Sequence, residues 1–472
     1  TLGIYNLENK QIVYIKTGEP KDQYLTSITW DPSEKFIYIG VLNREQNHLK
    51  FNKYDATSGD FVKTLFEEKN EKYVEPQHPA IFLPKTTNNF LWQSQRDGYN
   101  HLYLYDTEGN LIKQLTKGNW VVTEVYGVSA DEKYVYIQST AVCPIQRNPF
   151  KVELKTGKMV QLAKEEGMHE SVFSSDFAYM IDNFSSKNVP YIANLNDNNG
   201  KILLNLLKSD NPLADYKLGK VKFGILKAAD GKTNLYYNMV LPVDFDSTKK
   251  YPVIVYVYGG PHAQLVQDEW VNGGLWNYYM AQKGYIVFTL DNRGSSGRGF
   301  EFESIVHRQL GVEEMKDQME GVKFLKSLKY VDSERMGVHG WSFGGFMTIS
   351  LLTTYPDVFK VGVAGGPVID WKLYEVMYGE RYMDTPQENT DNYEKTSILN
   401  KIDKLQAKLL VIHGFVDPVV VPQNTQLLLI EAQKKGKQID FYDYPTSEHN
   451  VRGLLRVHLM EKITNYFDDY LK

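Results

Sequence analysis

Cysteine is almost missing from this chain. Cys143 is the only one in 472 residues, so no internal disulfide can form, and cysteine usage leaves the redox compartment open. No uninterrupted apolar run approaches the roughly 20 residues that a membrane-spanning helix needs. An excess of positive charge is missing too. The 53 Lys and Arg against 58 Asp and Glu leave a net charge of −5, with no basic stripe, which argues against a nucleic-acid partner. There is no H-E-x-x-H and no Cys/His cluster, so neither a metal nor another cofactor is expected. The stretch "DNRGSSGRG" (291–299) superficially suggests a phosphate loop but lacks the Gly-Lys-[ST] ending. It reads as a turn, with Asp291 and Arg293 as a structural ion pair. Thr1 opens no signal-like segment, although a mature or truncated chain would look the same.

What is present fits a globular protein of two or three domains, 42% apolar and 24% charged. Aromatics make up 13% of the chain, with 33 tyrosines, which leans towards β structure. Up to about Leu206 two phrases recur in order. The first is a turn followed by an alternating strand: "WDPSEKFIYIG" (30–40), "LPKTTNNFLWQS" (83–94), "VSADEKYVYIQS" (128–139) and "FSSDFAYMIDN" (173–183). The second is a strand running into a turn: "LKFNKYDATSGD" (49–60), "LYLYDTEGN" (102–110), "FKVELKTGK" (150–158) and "YIANLNDNNG" (191–200). A period of about 40 to 55 residues is that of four-stranded propeller blades, and an irregular β-sandwich is the alternative. Four blades and part of a fifth fit. Residues 1–206 therefore read as the C-terminal part of a β-propeller, incomplete at its N-terminus, with further blades expected upstream because unpaired edge strands invite aggregation.

From about Val221 apolar strands alternate with helix-like segments at 301–329, 343–355, 422–436 and 451–471. Residues 207–472 are thus expected to form an α/β-hydrolase domain with a mainly parallel, doubly wound sheet. Ligands in such sheets sit beyond the carboxyl ends of the strands. "RMGVHGWSFGGFMTIS" (335–350) reads as strand, tight turn and helix, the context that a G-x-S-x-G nucleophile requires. A serine hydroxyl needs a base, and the base needs a third group to hold it. Downstream of Ser342, "VIHGFVDPVVV" places Asp417 just past a strand, and "YPTSEHNVRG" places His449 in the loop after the next. This is the order Ser, Asp, His of α/β-hydrolases. His413, His458, His339 and His262 compete as the base but fall inside elements or too early in the order. Asp403 lies at the wrong end of its strand, and Asp443 lies within one. An oxyanion would be met by the backbone N–H of Phe343 and by the phenol of Tyr258, at the end of "VIVYVYGGPH".

The combination of "GWSFGG", "YVYGGPH", "DNRGSSGRG", "VDP" and "EHNV" behind a propeller resembles the prolyl oligopeptidase family, in its dipeptidyl peptidase IV branch. The resemblance implies a triad of Ser342, Asp417 and His449 with Tyr258 as the oxyanion tyrosine. It also implies a proline pocket formed by Phe343, Val368, Trp371, Tyr374, Tyr378 and Val420. Two departures stand out. Val419 replaces the asparagine that binds a substrate carbonyl in dipeptidyl peptidase IV. The phrases "VAGGPVIDW", "YGERYMDTPQEN" and "DPVVV" resemble bacterial prolyl tripeptidyl aminopeptidases, in which the glutamate matching Glu375 helps to hold the substrate amine. The propeller's usual amine-binding glutamate motif is absent, and neither Glu67-Glu68 nor Glu165-Glu166 takes its place.

The expectation is a serine exopeptidase cutting after proline near a free N-terminus, leaning to X-X-Pro tripeptides, with an X-Pro dipeptidyl peptidase as the alternative. An esterase or lipase would be hampered by a propeller lid. A silent binding protein would usually have lost one of the triad residues. The resemblance also implies pairing into a homodimer and export to the bacterial periplasm or cell envelope, with the cytoplasm as the other option.

Overall fold

The two recurring phrases are the second and third strands of each blade. In the computed structural model, which describes all 472 residues, the first phrase forms Phe36–Leu42, Asn89–Ser94, Tyr134–Ser139 and Tyr179–Ser186. The second forms His48–Asp55, His101–Asp106, Asn148–Glu153 and Val189–Asp197. With an outer strand on either side they make four antiparallel four-stranded sheets, preceded by a two-stranded sheet of Gly3–Tyr5 and Ile12–Tyr14. The turn chemistry explains the repeat. Asp55, Asp106 and Asp197 each accept two backbone N–H groups from the turn that follows, so the carboxylate closes the hairpin. A glycine then takes positive φ: 73° at Gly59, 93° at Gly109, 74° at Gly157 and 85° at Gly200. A Cβ at Gly109 would lie 2.2 Å from the carbonyl oxygen of Leu65, and one at Gly200 would lie 2.1 Å from that of Leu162. Each of these carbonyls belongs to the preceding blade. Glycine is therefore required twice over, by the backbone angle and by blade-to-blade contact.

Aromatic and aliphatic side chains fill the gaps between blades. Phe51, Phe90 and Trp92 form one core, while Leu91, Val135 and Ile137 form the next. These sheets lie in a compact unit of Thr1–Ser209 with Gly297–Glu301; the second unit is Asp210–Ser296 with Phe302–Lys472.

The second unit is built on one eight-stranded sheet. Its spatial order is Val221–Lys227, Asn234–Val240, Ile286–Leu290, Tyr251–Tyr256, Val331–Trp341, Val361–Gly365, Lys408–Gly414, Asp440–Tyr444. The first two strands are antiparallel additions, and the other six run parallel. The parallel strands read as unbroken apolar runs because helices cover both faces. The last helix, Leu454–Leu471, buries Phe467 and Leu471 against the sheet. A Cβ at Gly337 would come within 2.7 Å of the Phe467 ring. The chain passes from Tyr251–Tyr256 to Ile286–Leu290 on one side and then returns to Val331–Trp341 on the other. That reversal opens the crevice in which a ligand site is expected.

Two expectations need correction. The segment 301–329 is not one helix. Phe300–Glu303 and a single 3-10 turn end before His307, and the main helix is Glu313–Ser327. Arg308 (φ 67°) and Gly311 (φ 80°) turn the chain between them. Nor do Asp291 and Arg293 pair with each other. Arg293 forms its ion pairs with Asp317, Glu313 and Asp230. Asp291 accepts the backbone N–H groups of Leu265 and Val266, each at 2.9 Å. The segment is structural, with different partners.

Candidate active site

Ser342 follows directly on the strand Val331–Trp341 and precedes the helix Phe343–Thr354. Its φ of 62° is a conformation that side chains other than glycine rarely adopt. The hydroxyl does not cap the helix that it precedes. The turn can be this sharp because its neighbours have no side chains. A Cβ at Gly340 would lie 2.3 Å from the Val257 carbonyl oxygen, and one at Gly344 would lie 2.2 Å from the same atom. The N–H of Phe343 belongs to the first turn of the helix, whose donors have no partner within the helix.

Tyr258 lies two residues beyond the neighbouring strand Tyr251–Tyr256, and it lines the same cavity as Ser342. Burial raises its pKa, against a smaller lowering influence of Ser342, so the phenol stays neutral and able to donate.

His449 and Asp417 meet across their two loops. His449 Nδ1 donates to Asp417 Oδ2 at 2.7 Å, and Trp341 Nε1 fixes the loop by donating to the His449 carbonyl at 2.8 Å. With Nδ1 carrying the proton, Nε2 is the ring's basic atom. Asp417 is 4% exposed, and its Oδ1 accepts the N–H groups of Val419 and Val420 at 2.8 and 3.0 Å. Burial alone would raise the Asp417 pKa. Hydrogen bonds from His413 and His449 overcome this and hold it well below the usual carboxylate range. Ser342, Tyr258 and His449 line one cavity of about 330 Å³.

His413, which competed as the base, proves to be a support. Its Nε2 lies 2.7 Å from the Val420 carbonyl, which can only accept, so this nitrogen carries the proton. The same nitrogen is 3.3 Å from Asp417 Oδ2, and Thr425 Oγ1 sits 2.7 Å from Nδ1. Sequence order alone missed this role; the available signal was a polar ring four residues before Asp417 in an otherwise apolar strand. His458 bonds the Tyr444 hydroxyl at 2.8 Å, and His262 bonds that of Tyr382 at 2.7 Å.

The expected proline pocket is partly assembled. Trp371 lies 5.3 Å from Phe343, 5.5 Å from Tyr374 and 6.0 Å from Tyr378, the last nearly parallel at 20° (centroid distances). Val368 and Val420 are buried beyond the ends of the strands Val361–Gly365 and Lys408–Gly414. Glu375 has a structural duty. Its carboxylate caps the helix Val376–Met383, accepting from Met377 N at 2.9 Å and Tyr378 N at 2.7 Å, which helps to fix Tyr378.

Comparison with known proteins places the fold in a family. Residues 274–472 match the prolyl oligopeptidase family, and residues 1–191 match the dipeptidyl peptidase IV (DPP IV) N-terminal region. A solved structure of a putative dipeptidyl aminopeptidase IV from Bacteroides ovatus superposes with a TM-score of 0.96 at 47% identity, covering 99% of this chain and 69% of that one. The chain belongs to the prolyl oligopeptidase family, in its dipeptidyl peptidase IV branch. Porphyromonas gingivalis dipeptidyl peptidase 4 gives a TM-score of 0.93 at 32% identity, over 99% of this chain and 67% of that one. Dipeptidyl peptidase 4 of Trichophyton equinum is 34% identical over 456 residues, 94% of this chain. The chain spans 57% of the length of that curated relative.

One buried group beside the aromatic wall gives this prolyl oligopeptidase-family domain a stability prediction. Glu314 is fully buried; its Oε1 accepts from Gly311 N at 2.8 Å, while Oε2 has no partner. Burial pushes its pKa from 4.5 up to about 8. A carboxyl whose folded pKa exceeds its unfolded one binds the proton more tightly when folded, so stability falls as pH rises between those two values. Glu314→Gln keeps the acceptor and removes the charge. It should raise stability by about 1–3 kcal/mol at pH 8 and by almost nothing at pH 4.5. Denaturant melts at the two pH values check this, and an equal effect at both would contradict it.

Proposed function

We propose that the protein is a dipeptidyl peptidase IV-like serine exopeptidase that releases X-Pro dipeptides from free N-termini. The supporting observation is the single arrangement of a strained serine, a phenol lining the same cavity, and a histidine oriented by a buried aspartate, beside an aromatic wall. The names of its relatives favour the dipeptidyl reading. Ser342 Oγ attacks the carbonyl carbon of the proline while His449 Nε2 takes the hydroxyl proton. The carbonyl's electron pair moves onto oxygen, where the Tyr258 hydroxyl and the Phe343 N–H meet it. As the C–N bond breaks, His449 returns that proton to the leaving amine. Water then repeats the sequence on the acyl-enzyme. Trp371, Tyr374 and Tyr378 suit a rigid, apolar pyrrolidine ring and would strip a charged side chain of its hydration.

A second reading, release of X-X-Pro tripeptides, draws on Val419. It is 46% exposed and has no side-chain donor for a dipeptide's carbonyl. Cut length follows from the distance at which carboxylates hold the substrate ammonium. Gly-Pro-p-nitroanilide should exceed Ala-Ala-Pro-p-nitroanilide in kcat/KM if the dipeptidyl reading holds, and the reverse order would establish the tripeptidyl one. N-acetylation should abolish most of the activity with either substrate. An acetylated substrate cleaved as fast as the free amine would end the exopeptidase reading.

A further inference from the structure

The 330 Å³ cavity at Ser342 is not the aromatic pocket. It shares Ser342 and Tyr258 with that neighbourhood, but none of Trp371, Tyr374, Tyr378, Val368 or Val420 lines it. Its walls are Tyr256, Trp276, Asn277, His339, Trp341 and Arg456, with His449 at its edge. The histidine that protonates a leaving amine must lie beside the leaving group. A cavity reached past His449 and away from the acyl pocket is therefore on the leaving-group side.

Three features make this a built site. No carboxylate lines it, and the Arg456 side chain, exposed to solvent at its rim, makes no ion pair or hydrogen bond within the chain, so its charge is available to a ligand. That charge reaches inward: burial is the main cause of the lowered pKa of His339, and Arg456 lowers it further, to about 4. The second feature is Asn277, 1% exposed, whose Nδ2 donor has no partner. A buried donor left without an acceptor is rare and costly unless something else supplies one. The third is rigidity. Trp276 Nε1 is tied to Thr464 Oγ1 at 3.0 Å, and Trp341 Nε1 to the His449 carbonyl at 2.8 Å. His339 Nδ1 donates to the Val363 carbonyl at 2.8 Å, leaving its neutral Nε2 as an acceptor on the wall. Donors, one acceptor and flat aromatic walls suit a short stretch of peptide with a negative charge.

We propose that this cavity receives the first residues of the leaving peptide, and that Arg456 pairs there with a carboxylate, either the free C-terminus of a short leaving group or an acidic side chain. The proposal rests on the serine-exopeptidase reading and adds to it a preference for short or acidic leaving peptides.

The test uses ratios within each variant, so partial loss of folded protein cancels. The acyl part is Gly-Pro or Ala-Ala-Pro, whichever p-nitroanilide the protein cleaves faster. It is joined to Ala-Ala as the free acid or the amide, and separately to Asp-Ala-amide or Asn-Ala-amide. Release of the leaving dipeptide is followed by chromatography. The acid-over-amide ratio of kcat/KM reads a C-terminal carboxylate, and the Asp-over-Asn ratio reads a side chain. At least one ratio should be about fivefold in low salt, shrinking as salt screens the pair. Arg456→Met should bring that ratio to one, and Arg456→Glu should bring it below one. Wild-type ratios of one in both pairs, or ratios that survive both substitutions, overturn the proposal while the peptidase reading stands. Failure to cleave either p-nitroanilide removes that reading and the proposal with it.

Discussion

Ser342→Ala is expected to lower turnover by on the order of a million-fold with the fold intact. The alanine keeps the Cβ in the same φ 62° turn, so the strain set by Gly340 and Gly344 does not change. What disappears is a single hydroxyl, so stability should change by about 1 kcal/mol at most. The kinetic loss is large because the three residues act as a unit. His449 has nothing to deprotonate, and the orientation given by Asp417 serves no step. Residual turnover would come from the oxyanion donors and from substrate positioning, acting on water. Fluorophosphonate labelling should be complete in the wild type and absent in the variant. Labelling that persisted in Ser342→Ala would place the nucleophile elsewhere, whatever the activity assay showed.

The elements that were legible in the sequence are those specified by neighbouring residues. Propeller blades showed because each hairpin repeats a short carboxylate-and-glycine turn, and Asp106 with Gly109 shows how both residues are used locally. The serine turn showed because Gly340, Gly344 and Gly345 must all lack side chains within a few residues of Ser342. Asp417 and His449 showed because parallel sheets bring the ends of successive strands together. Where partners come from distant chain, legibility failed. Val221–Lys227 pairs with Asn234–Val240, and this hairpin joins the sheet only where Asn234–Val240 pairs with Ile286–Leu290; nothing in their own pattern states this. The nearest acid to Arg293 in sequence is Asp291, whereas its strongest partner, Asp317, comes from a helix 24 residues on. The break before Glu313 follows from tertiary contact, with Arg308 N bonded to the Tyr382 carbonyl at 2.6 Å, and helical periodicity continues through it. Glu375 illustrates a different limit. The family pattern suggests an amine-binding carboxylate, yet both of its oxygens also cap a helix, and sequence cannot separate the two duties.

Tyr258→Phe should lower kcat by roughly a hundredfold or more with little change in KM. The substitution removes one oxygen from a ring whose packing persists, since the Tyr258 and Phe343 centroids are 5.9 Å apart and that contact needs no hydroxyl. Burial raises the phenol's pKa, so across the neutral range it is an un-ionised donor. A phenolate there would repel the oxyanion it is meant to stabilise. As the carbonyl oxygen gains charge it becomes a stronger acceptor for this hydroxyl. An interaction that strengthens only as charge develops acts on kcat and leaves ground-state binding almost untouched. The Phe343 N–H remains in the variant, which is why the loss should stop short of that in Ser342→Ala. Steady-state kinetics on the better p-nitroanilide substrate separate the outcomes. An unchanged kcat would reduce Tyr258 to a packing residue, while a raised KM at constant kcat would assign its hydroxyl to substrate binding.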